Sequence, residues 1–437
     1  MFASAVELPF SAGNTSESRL LLLGFKGRAA RRLRLPDQVW RAANLYHARG
    51  FLEDADWVVA IEGRMLTKLC EGGHAILGGR HGDREAIVLV RRRTPPRQGA
   101  RFDGLVMSFA CTSAVFRDLV TIAGNEAPER MCFALLNALM NGRMCPVRLT
   151  VHELGRNGLR KPIQAADELG QIAVIMAHRG KRRHLEAALT FLSALDGGCP
   201  MLRVGLDIDR PLAYRRMLKG ESVEFFWAQP APAGPYVIRQ ALADRSTEET
   251  LIFHDSDDIS CHDRVATLTG EMRRTGCDLL GCHELRVDEV SKEVLAIRFP
   301  LNVSAALCNF SGHQFLHPSS AIRRDGFIRA GGFSTNQHIA SDTQFILRAY
   351  FSLGIRNFDG FLYIRRKHPA ALTVAKETAL NIPLRARLAR TWRADFDAVK
   401  TGNLALEQSS LRPIRSRRAY KLLRLSWKDE QKPGARA

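Results

Sequence analysis

Residues 251–258 read LIFHDSDD, a short apolar run that ends in three carboxylates. The apolar residues predict a buried β-strand, and Asp255, Asp257 and Asp258 then lie at its carboxyl end. Carboxylates are costly to bury at such a position unless a cation offsets their charge. Mg²⁺ and Mn²⁺ prefer oxygen ligands, and Mg²⁺ is usually held by one or two carboxylates together with substrate phosphates. The stretch is therefore typical of a site for a divalent metal and a diphosphate, although the same letters also form ordinary turns and helix caps.

The segments that precede this motif alternate between strand and helix patterns. In chain order they predict strand 171–176, helix 185–195, strand 201–206 and helix 236–243. This alternation indicates an α/β fold with right-handed crossovers and a mostly parallel sheet flanked by helices. Ligands bind at the carboxyl ends of the strands in such sheets. The basic loop 178–184, Asp207 and the acids at 255–258 are therefore expected to meet at one edge.

The order of motifs from about residue 171 to residue 373 resembles the family 2 glycosyltransferases, whose nucleotide-sugar-binding domain has the GT-A fold. The stretches that carry the resemblance are, in order, QIAVIMAHRG, MLRVGLDID, GPYVIRQALA, LIFHDSDD, HPSSAIRRDGFIRAGGF, SDTQFILRAYFSLG and LYIRRKHPAALT. Two positions depart from the family pattern, because Ser341 stands where Glu is usual and Gln240 stands where Asn is common. The Gln-x-x-Arg-Trp motif of the processive members is not visible.

The resemblance implies an enzyme that moves a sugar from a nucleotide-sugar donor to a saccharide or lipid-linked acceptor, in the synthesis of surface polysaccharide or another glycoconjugate. It implies Mg²⁺ or Mn²⁺ as cofactor, with Asp257 as the first metal ligand and Asp255 as the second. An inverting transfer also needs a general base for the acceptor hydroxyl. The aligned position is Asp342, at the start of a predicted helix, where a purely structural cap is the alternative.

Four residues are expected to bind the donor: Asp207, Asp255, Arg239 and His178. Asp207 fits the acid that contacts the nucleotide base or ribose, and His178 begins the basic loop. Arg239 could meet a phosphate, and it could equally lie on a helix surface. His368 could close over the diphosphate, while a surface loop is the simpler interpretation. Gly331-Gly332 is expected to allow close backbone approach beneath the acceptor.

The composition is that of a globular protein, with 46% hydrophobic and 25% charged residues among 437. The net charge of +19 suits an anionic substrate, nucleic acid or the anionic inner leaflet of a membrane. No nucleic-acid partner is expected, since no zinc-finger spacing, RNA-recognition motif or repeat array is present. Nine cysteines without a C-x-x-C pair indicate reduced thiols. No apolar run reaches about 18 residues and no signal-peptide pattern is present, so a cytoplasmic protein is expected.

Three regions are predicted: 1–165, of uncertain α/β or helical fold; 166–380, the GT-A domain; and 381–437, a basic helical tail. Within the first region, Ser113–Gly124 aligns without gaps to Ser320–Gly331, and Asp54-Ala55-Asp56 lies upstream as a second D-x-D. A degenerate or partial second glycosyltransferase module is one interpretation. The other, which we favour, is a non-catalytic region in which 40–61 form a helix pair.

The tail has seven basic residues and no acid between Leu411 and Lys428, interleaved with leucines and Trp427. This pattern predicts contact with an anionic membrane at the inner face of the plasma membrane, and a solvated basic extension is the alternative.

Two other functions fit the same residues. A nucleotidyltransferase uses a similar sheet and acids, but it usually has a Gly-rich loop after the first strand, where this chain has only Gly180. A non-catalytic basic binding protein on a decayed GT-A fold is the second alternative, and Ser341 favours it.

Overall fold

The computed structural model describes residues 20–24, 39–42, 57–61, 83–91, 93–123, 130–154, 171–217, 222–309 and 314–426. Within these residues, no helix is long and apolar enough to cross a bilayer, and the cysteines are free thiols. The elements before residue 160 are β1 (Leu20–Gly24), β2 (Val39–Ala42), β3 (Trp57–Ile61), β4 (Glu85–Arg91), β5 (Arg101–Leu105), β6 (Ser108–Thr112), α1 (Ser113–Ala123), α2 (Met131–Met140) and β7 (Arg148–Leu154).

The remaining strands and α-helices follow from residue 172 onward. They are β8 (Ile172–His178), α3 (Arg182–Ser193), β9 (Met201–Leu206), β10 (Val223–Gln229), α4 (Pro235–Arg245), β11 (Thr250–Asp255), β12 (Ile259–Ser260), α5 (Arg264–Thr275), β13 (Leu279–Asp288), β14 (Glu293–Arg298), α6 (Val303–Cys308), β15 (Ala321–Arg323), α7 (Arg324–Arg329), α8 (Ser341–Ala349), β16 (Ile355–Lys367), α9 (Pro383–Lys400) and β17 (Lys421–Arg424).

The larger sheet confirms the predicted α/β architecture. Its strand order is β12-β16-β13-β15-β11-β8-β9-β10-β17, and β14 and β5 extend it beyond β13. The strands β10, β9, β8 and β11 are mutually parallel, as predicted. The other half is mixed, because β15 runs antiparallel to both β11 and β13. Buried apolar side chains cover the two faces of this sheet, so the acids at the end of β11 lie at the rim of a packed core.

The smaller sheet repeats the central part of the larger one. Its order is β2-β1-β3-β6-β4-β7, and that of the larger is β9-β8-β11-β15-β13-β16 in the corresponding places. In both, the first three strands are parallel, the fourth is antiparallel to its neighbours, and the last two are parallel. The described part of the chain therefore contains two copies of one six-stranded topology.

The register of these strands corrects the sequence alignment between the copies. Trp57 pairs with Thr112, the last residue before α1, and Thr250 pairs with Arg323, the last residue before α7. Ser113 thus corresponds to Arg324 rather than to Ser320. The predicted helix pair at 40–61 is wrong, since β2 and β3 lie there. Asp54-Ala55-Asp56 lies outside the described residues and precedes β3, whereas Asp255 ends β11.

The two copies share a boundary that is both apolar and charged. Strand β5, from the first copy, pairs with β14 of the larger sheet. The side chain of Arg298 on β14 is fully buried, and it lies 2.5 Å from Asp103 Oδ2 and 2.5 Å from Glu153 Oε1. Core residues of both copies form one cluster, which includes Phe109 and Leu285. The two copies therefore pack against each other and share part of their hydrophobic core.

The basic tail is helical only in part. Helix α9 begins as predicted, but the basic stretch after Leu411 is an irregular segment followed by strand β17, which pairs antiparallel with β10. Leu411, Leu422 and Leu425 are buried in the protein. The predicted helical tail is therefore wrong for residues 411–426, because a strand forms there and these three leucines pack inward.

Candidate functional site

Three carboxylates cluster where β11 ends. One oxygen each of Asp255, Asp257 and Asp258 lies within 4.8 Å of the others, the spacing of a set that can hold a metal ion. Oxygen atoms are the ligands that Mg²⁺ and Mn²⁺ prefer, so the donor set fits the predicted cation. Because three like charges this close repel one another, their environments divide them into different roles.

Asp258 is the buried anchor of the cluster. Its Oδ2 accepts a hydrogen bond of 2.7 Å from the Tyr363 hydroxyl, and its Oδ1 accepts one of 2.7 Å from the backbone N–H of Arg366. Burial, together with the neighbouring charges of Asp257 and Asp255, raises the pKa of Asp258 well above its ordinary value. Asp258 is not the helix cap that such a stretch often forms, since Asp263 precedes α5. Asp258 instead fastens the loop 255–258, called the acid loop below, to β16.

Asp255 and Asp257 are the accessible pair, each with 32% of its side chain exposed. Arg239 on α4 donates a short hydrogen bond to Asp255, and His368 Nε2 lies 2.9 Å from Asp257 Oδ2. Burial tends to raise the pKa of Asp257, but His368 outweighs it and the pKa is lowered. For Asp255, burial wins over the opposing charge of Arg239 and the pKa is raised. Both acids thus have a cationic or hydrogen-bonding partner at hand.

His178 lies at this edge but binds the loop. Its Nδ1 lies 2.8 Å from Ser256 Oγ and its Nε2 lies 3.0 Å from the Tyr214 hydroxyl, and only 1% of the residue is exposed. Burial lowers the pKa of His178 to about 4, so the ring is neutral near pH 7. In the structure His178 therefore holds Ser256, which lies between the two accessible acids.

Asp207 follows β9 at the predicted edge and fixes the loop before α4. Its Oδ1 accepts from the backbone N–H of Ala233 at 2.6 Å, and its Oδ2 accepts from that of Gly234 at 3.0 Å. The residue is only 4% exposed. These two bonds position the start of the helix that carries Arg239.

Asp342 lies in the first turn of α8 and faces the same cluster. The buried hydroxyl of Tyr236 hydrogen-bonds to it, and the pKa of Tyr236 is raised well above its ordinary value by burial and then by Asp342. Asp342 also acts electrostatically on Asp255 and Arg239. The structure therefore brings together two residues, Asp255 and Asp342, that are far apart in the sequence.

Several buried polar atoms beside Asp342 have no hydrogen-bond partner among the described residues. They are Arg239 Nε, Ser341 Oγ and both ring nitrogens of His317. Buried polar groups are nearly always paired in folded proteins. His317 interacts electrostatically with Arg239 and Asp342, which places it close to them. The cluster therefore has unused hydrogen-bonding capacity.

Sequence reasoning offered His368 as a candidate but missed the contribution of β16. This strand brings Tyr363 and Arg366 to the acid loop, and His368 follows directly after it; all three contact residues of the loop. The run LYIRRKHP could have indicated this contact. It is an apolar strand followed by basic residues, and these can pair with the acids after β11. Gly331-Gly332 also differs from expectation. Both have positive φ. A Cβ at Gly332 would lie 2.3 Å from Gln240 Oε1, so Gly332 allows packing on Gln240, and a Cβ at Gly331 would lie 2.9 Å from Pro413.

Comparison with known proteins gives structural neighbours only. No protein-family model and no curated protein matches this chain. The crystal structure of S. aureus TarS 1–349 in complex with UDP-GlcNAc is 17% identical, covering 52% of this chain and 73% of that one with a TM-score of 0.39. The same fragment in complex with UDP is 18% identical, covering 54% and 73% with a TM-score of 0.38. Values this low do not establish a shared function.

Proposed function

We propose that this chain is a glycosyltransferase with a GT-A type domain, which transfers a sugar from a nucleotide-sugar donor to a saccharide or lipid-linked acceptor. The observation that carries the proposal is the accessible acid pair Asp255 and Asp257 at the carboxyl end of β11, with Asp342 facing it. An acid pair alone would suit many metal sites. A carboxylate from a separate element, Asp342 on helix α8, beside the pair suits a two-substrate reaction.

Asp257 and Asp255 would hold Mg²⁺ or Mn²⁺, while Asp258 fixes the loop from behind. When bound, the ion supplies charge stabilisation for the diphosphate that leaves the sugar. Arg239 and His368 are the hydrogen-bond partners of the two acids in the protein alone. With the ion on the acids, these two side chains become free to donate hydrogen bonds to phosphate oxygens.

Asp342 would act as the general base. As the acceptor oxygen attacks the anomeric carbon, its proton passes to the Asp342 carboxylate, and the bond from the anomeric carbon to the diphosphate breaks. Attack from the face opposite the leaving group inverts the configuration. The Tyr236 hydroxyl orients the carboxylate, and the unpaired atoms of Ser341, His317 and Arg239 are available for sugar hydroxyls.

Membrane contact, if it supports a lipid-linked acceptor, would rest on charge rather than insertion. Arg412, Arg417, Arg418 and Lys421 are exposed, whereas the leucines at 411, 422 and 425 are buried. Exposed basic side chains near an anionic leaflet each contribute about 1 kcal/mol. A cytoplasmic location at the inner face of the membrane follows from this proposal.

A donor panel tests the proposed function. The full chain is mixed with UDP-, GDP-, dTDP- and CMP-sugars, with Mn²⁺ or with EDTA, and thermal unfolding and release of the nucleotide are measured. We expect one nucleotide class to raise the unfolding temperature by several degrees only with metal, because ligands that bind the native state stabilise it by mass action. Release of nucleotide should depend on the same metal. A chain that responds to none of these would be the non-catalytic binding protein instead.

A further inference from the structure

The first copy of the fold lacks the acids that mark the second. Strand β3 ends at Ile61, and the sequence continues Glu62-Gly63-Arg64, whereas β11 ends at Asp255 and continues Ser256-Asp257. The corresponding positions therefore offer one acid and one base where the second copy offers two acids. This composition does not favour a second divalent-metal site, and the contribution of the first copy must be sought where it touches the second.

The two copies meet directly behind the acid loop, through Arg366. Its guanidinium Nη2 donates to the Met140 carbonyl at 2.5 Å, and its Nη1 donates to Asn141 Oδ1 at 3.3 Å, both at the C-terminal end of α2 in the first copy. On its other side, Nε donates to the Asp257 carbonyl at 2.9 Å. Its backbone N–H donates to Asp258 at 2.7 Å. One side chain, only 2% exposed, thus joins both copies.

The end of α2 is shaped for this contact. Asn141 follows the last helical residue, and its Nδ2 donates to the Asn137 carbonyl at 2.8 Å. That bond leaves the side-chain oxygen Oδ1 turned to Arg366. The guanidinium has a further ionic partner in Glu289, the residue that follows β13. All three nitrogens of the Arg366 guanidinium therefore have a partner, which fixes its orientation. The same contacts restrain the backbone of Asp257.

We propose that the first copy is a positioning module for the metal site, in which Met140 and Asn141 hold Arg366 and Arg366 fixes the loop 255–258. This inference rests on the proposed function, since it assigns a metal to that loop. Ligands that are fixed before the ion arrives lose less freedom on binding, so a locked loop binds the metal more tightly. Arg366 is a positioning residue and touches no reacting atom.

Mn²⁺ binding to the full chain tests the inference, measured by the loss of the electron paramagnetic resonance signal of free Mn²⁺. Asn141→Ala and Arg366→Lys should weaken binding about tenfold or more, as is typical when a residue supporting a metal ligand is changed. Asn141→Asp keeps an acceptor oxygen and should restore near-normal affinity. The matched control is Asp196→Asn, which breaks the 2.7 Å ion pair with Arg148 between the copies without touching the loop.

Unchanged affinity in Asn141→Ala and Arg366→Lys would overturn the inference, and so would an equal loss in Asp196→Asn, which would indicate general loosening. If the unaltered chain binds no Mn²⁺, the metal dependence of the proposed function fails. The positioning role is then decided without metal, by hydrogen exchange of the amides at 255–260. Faster exchange in Asn141→Ala than in Asp196→Asn supports it, and equal exchange rejects it.

Discussion

Within the acid loop, neighbouring carboxylates differ because their surroundings differ. Asp258 uses both carboxylate oxygens to accept hydrogen bonds from Tyr363 and the backbone of Arg366. Asp257 is partly exposed, and its side-chain partner is His368. A residue whose oxygens are already bonded and buried is a poor ligand. We therefore expect the partly exposed Asp257 to be the better metal ligand. Substitution at these two positions should then have different consequences.

Asp257→Asn should abolish transfer while the protein stays folded. The amide is nearly isosteric, but it removes a charged ligand, and metal stabilisation of a leaving group is worth several kcal/mol, so we expect a loss of roughly a hundredfold or more. Turnover with Mn²⁺ and the urea unfolding midpoint would be measured together. Asp325→Asn is the control, because that side chain is 72% exposed and pairs with nearby Arg329. Near-normal turnover of Asp257→Asn would remove it from the metal site.

Asp342→Asn should lower turnover by about a hundredfold and leave donor affinity nearly unchanged, because a general base acts on the acceptor and contributes on that scale. The measurements are kcat with saturating acceptor and the dissociation constant of the nucleoside diphosphate with Mn²⁺. A parallel loss of diphosphate affinity would place Asp342 in the donor pocket.

His317 should make the protein less stable in acid. Burial lowers its pKa to about 3 in the folded chain, while an unfolded histidine titrates near 6.5. The unfolded state therefore takes up the proton first, and the free energy of unfolding falls as the pH drops below about 6.5, by up to roughly 1.4 kcal/mol per pH unit for this group.

His317→Phe should remove that share of the pH dependence, because the ring already packs against Phe253 at 4.2 Å and Phe333 at 4.9 Å between centroids. Urea unfolding at pH 7 and pH 5 measures it. The exposed His338→Gln serves as the comparison, and an identical pH slope in all three proteins would refute the assignment.

At the residue scale, the sequence located the acids because they directly follow an apolar strand, a local signal. It offered His368 as a candidate but could not locate Arg366 or Tyr363, since these reach the loop through a strand more than 100 residues later in the chain, as with the pair Ile259 and Ile364. The packing of Gly332 on Gln240 was equally invisible, because it depends on a contact 92 positions apart.

Among the elements, helix α8 depends on the tail. Gln344 Nε2 donates to the Ser410 carbonyl at 2.6 Å, and the buried Arg348 donates to the Leu411 carbonyl at 2.6 Å. Burial lowers the pKa of Arg348 to about 10, and no carboxylate offsets its charge within the described contacts. The guanidinium of Arg348 donates instead to the carbonyls of Leu411 in the tail and of Ala330 and Gly332. The helix that presents Asp342 is thus held in place by residues 410–412.

A chain ending at Ser410 should therefore be less stable and less active than one ending at Ser426. It loses the buried leucines 411, 422 and 425, each worth roughly 1.5–3 kcal/mol, and it leaves Arg348 short of a partner. Urea unfolding and turnover of the two chains measure the effect. This outcome replaces the expectation that the tail is a separable membrane anchor, and equal unfolding midpoints would restore that expectation.

Local patterns predicted β8, α3, β9, α4 and β11 because each has a periodicity of its own. They failed after Leu411, where alternating basic and apolar residues suggested a helix. An edge strand shows the same alternation when only one of its faces is buried.

For the whole molecule, the faint likeness between 113–124 and 320–331 joins two copies whose sheets repeat one topology, but the strands pair in a different register. Strand order and direction are set by non-local pairing, and the order of neighbours in a sheet leaves little trace in the sequence. The repeat is seen in the strand order of the two sheets, whereas the sequence shows only a short stretch of similarity. The basic composition likewise did not help to predict the fold, because net charge bears on solubility and association rather than on fold.

Strand β17 has a bearing on how the protein behaves in a crowded solution. Without it, β10 would present a row of unpaired backbone groups, to which a strand of another molecule could add. β17 covers that row and becomes the outermost strand itself, with Lys421 and Arg424 exposed on it. Like charges meeting across two such strands repel, so stacking of molecules edge to edge is disfavoured. The basic residues of the tail thus guard the sheet against aggregation, a benefit that is independent of any membrane.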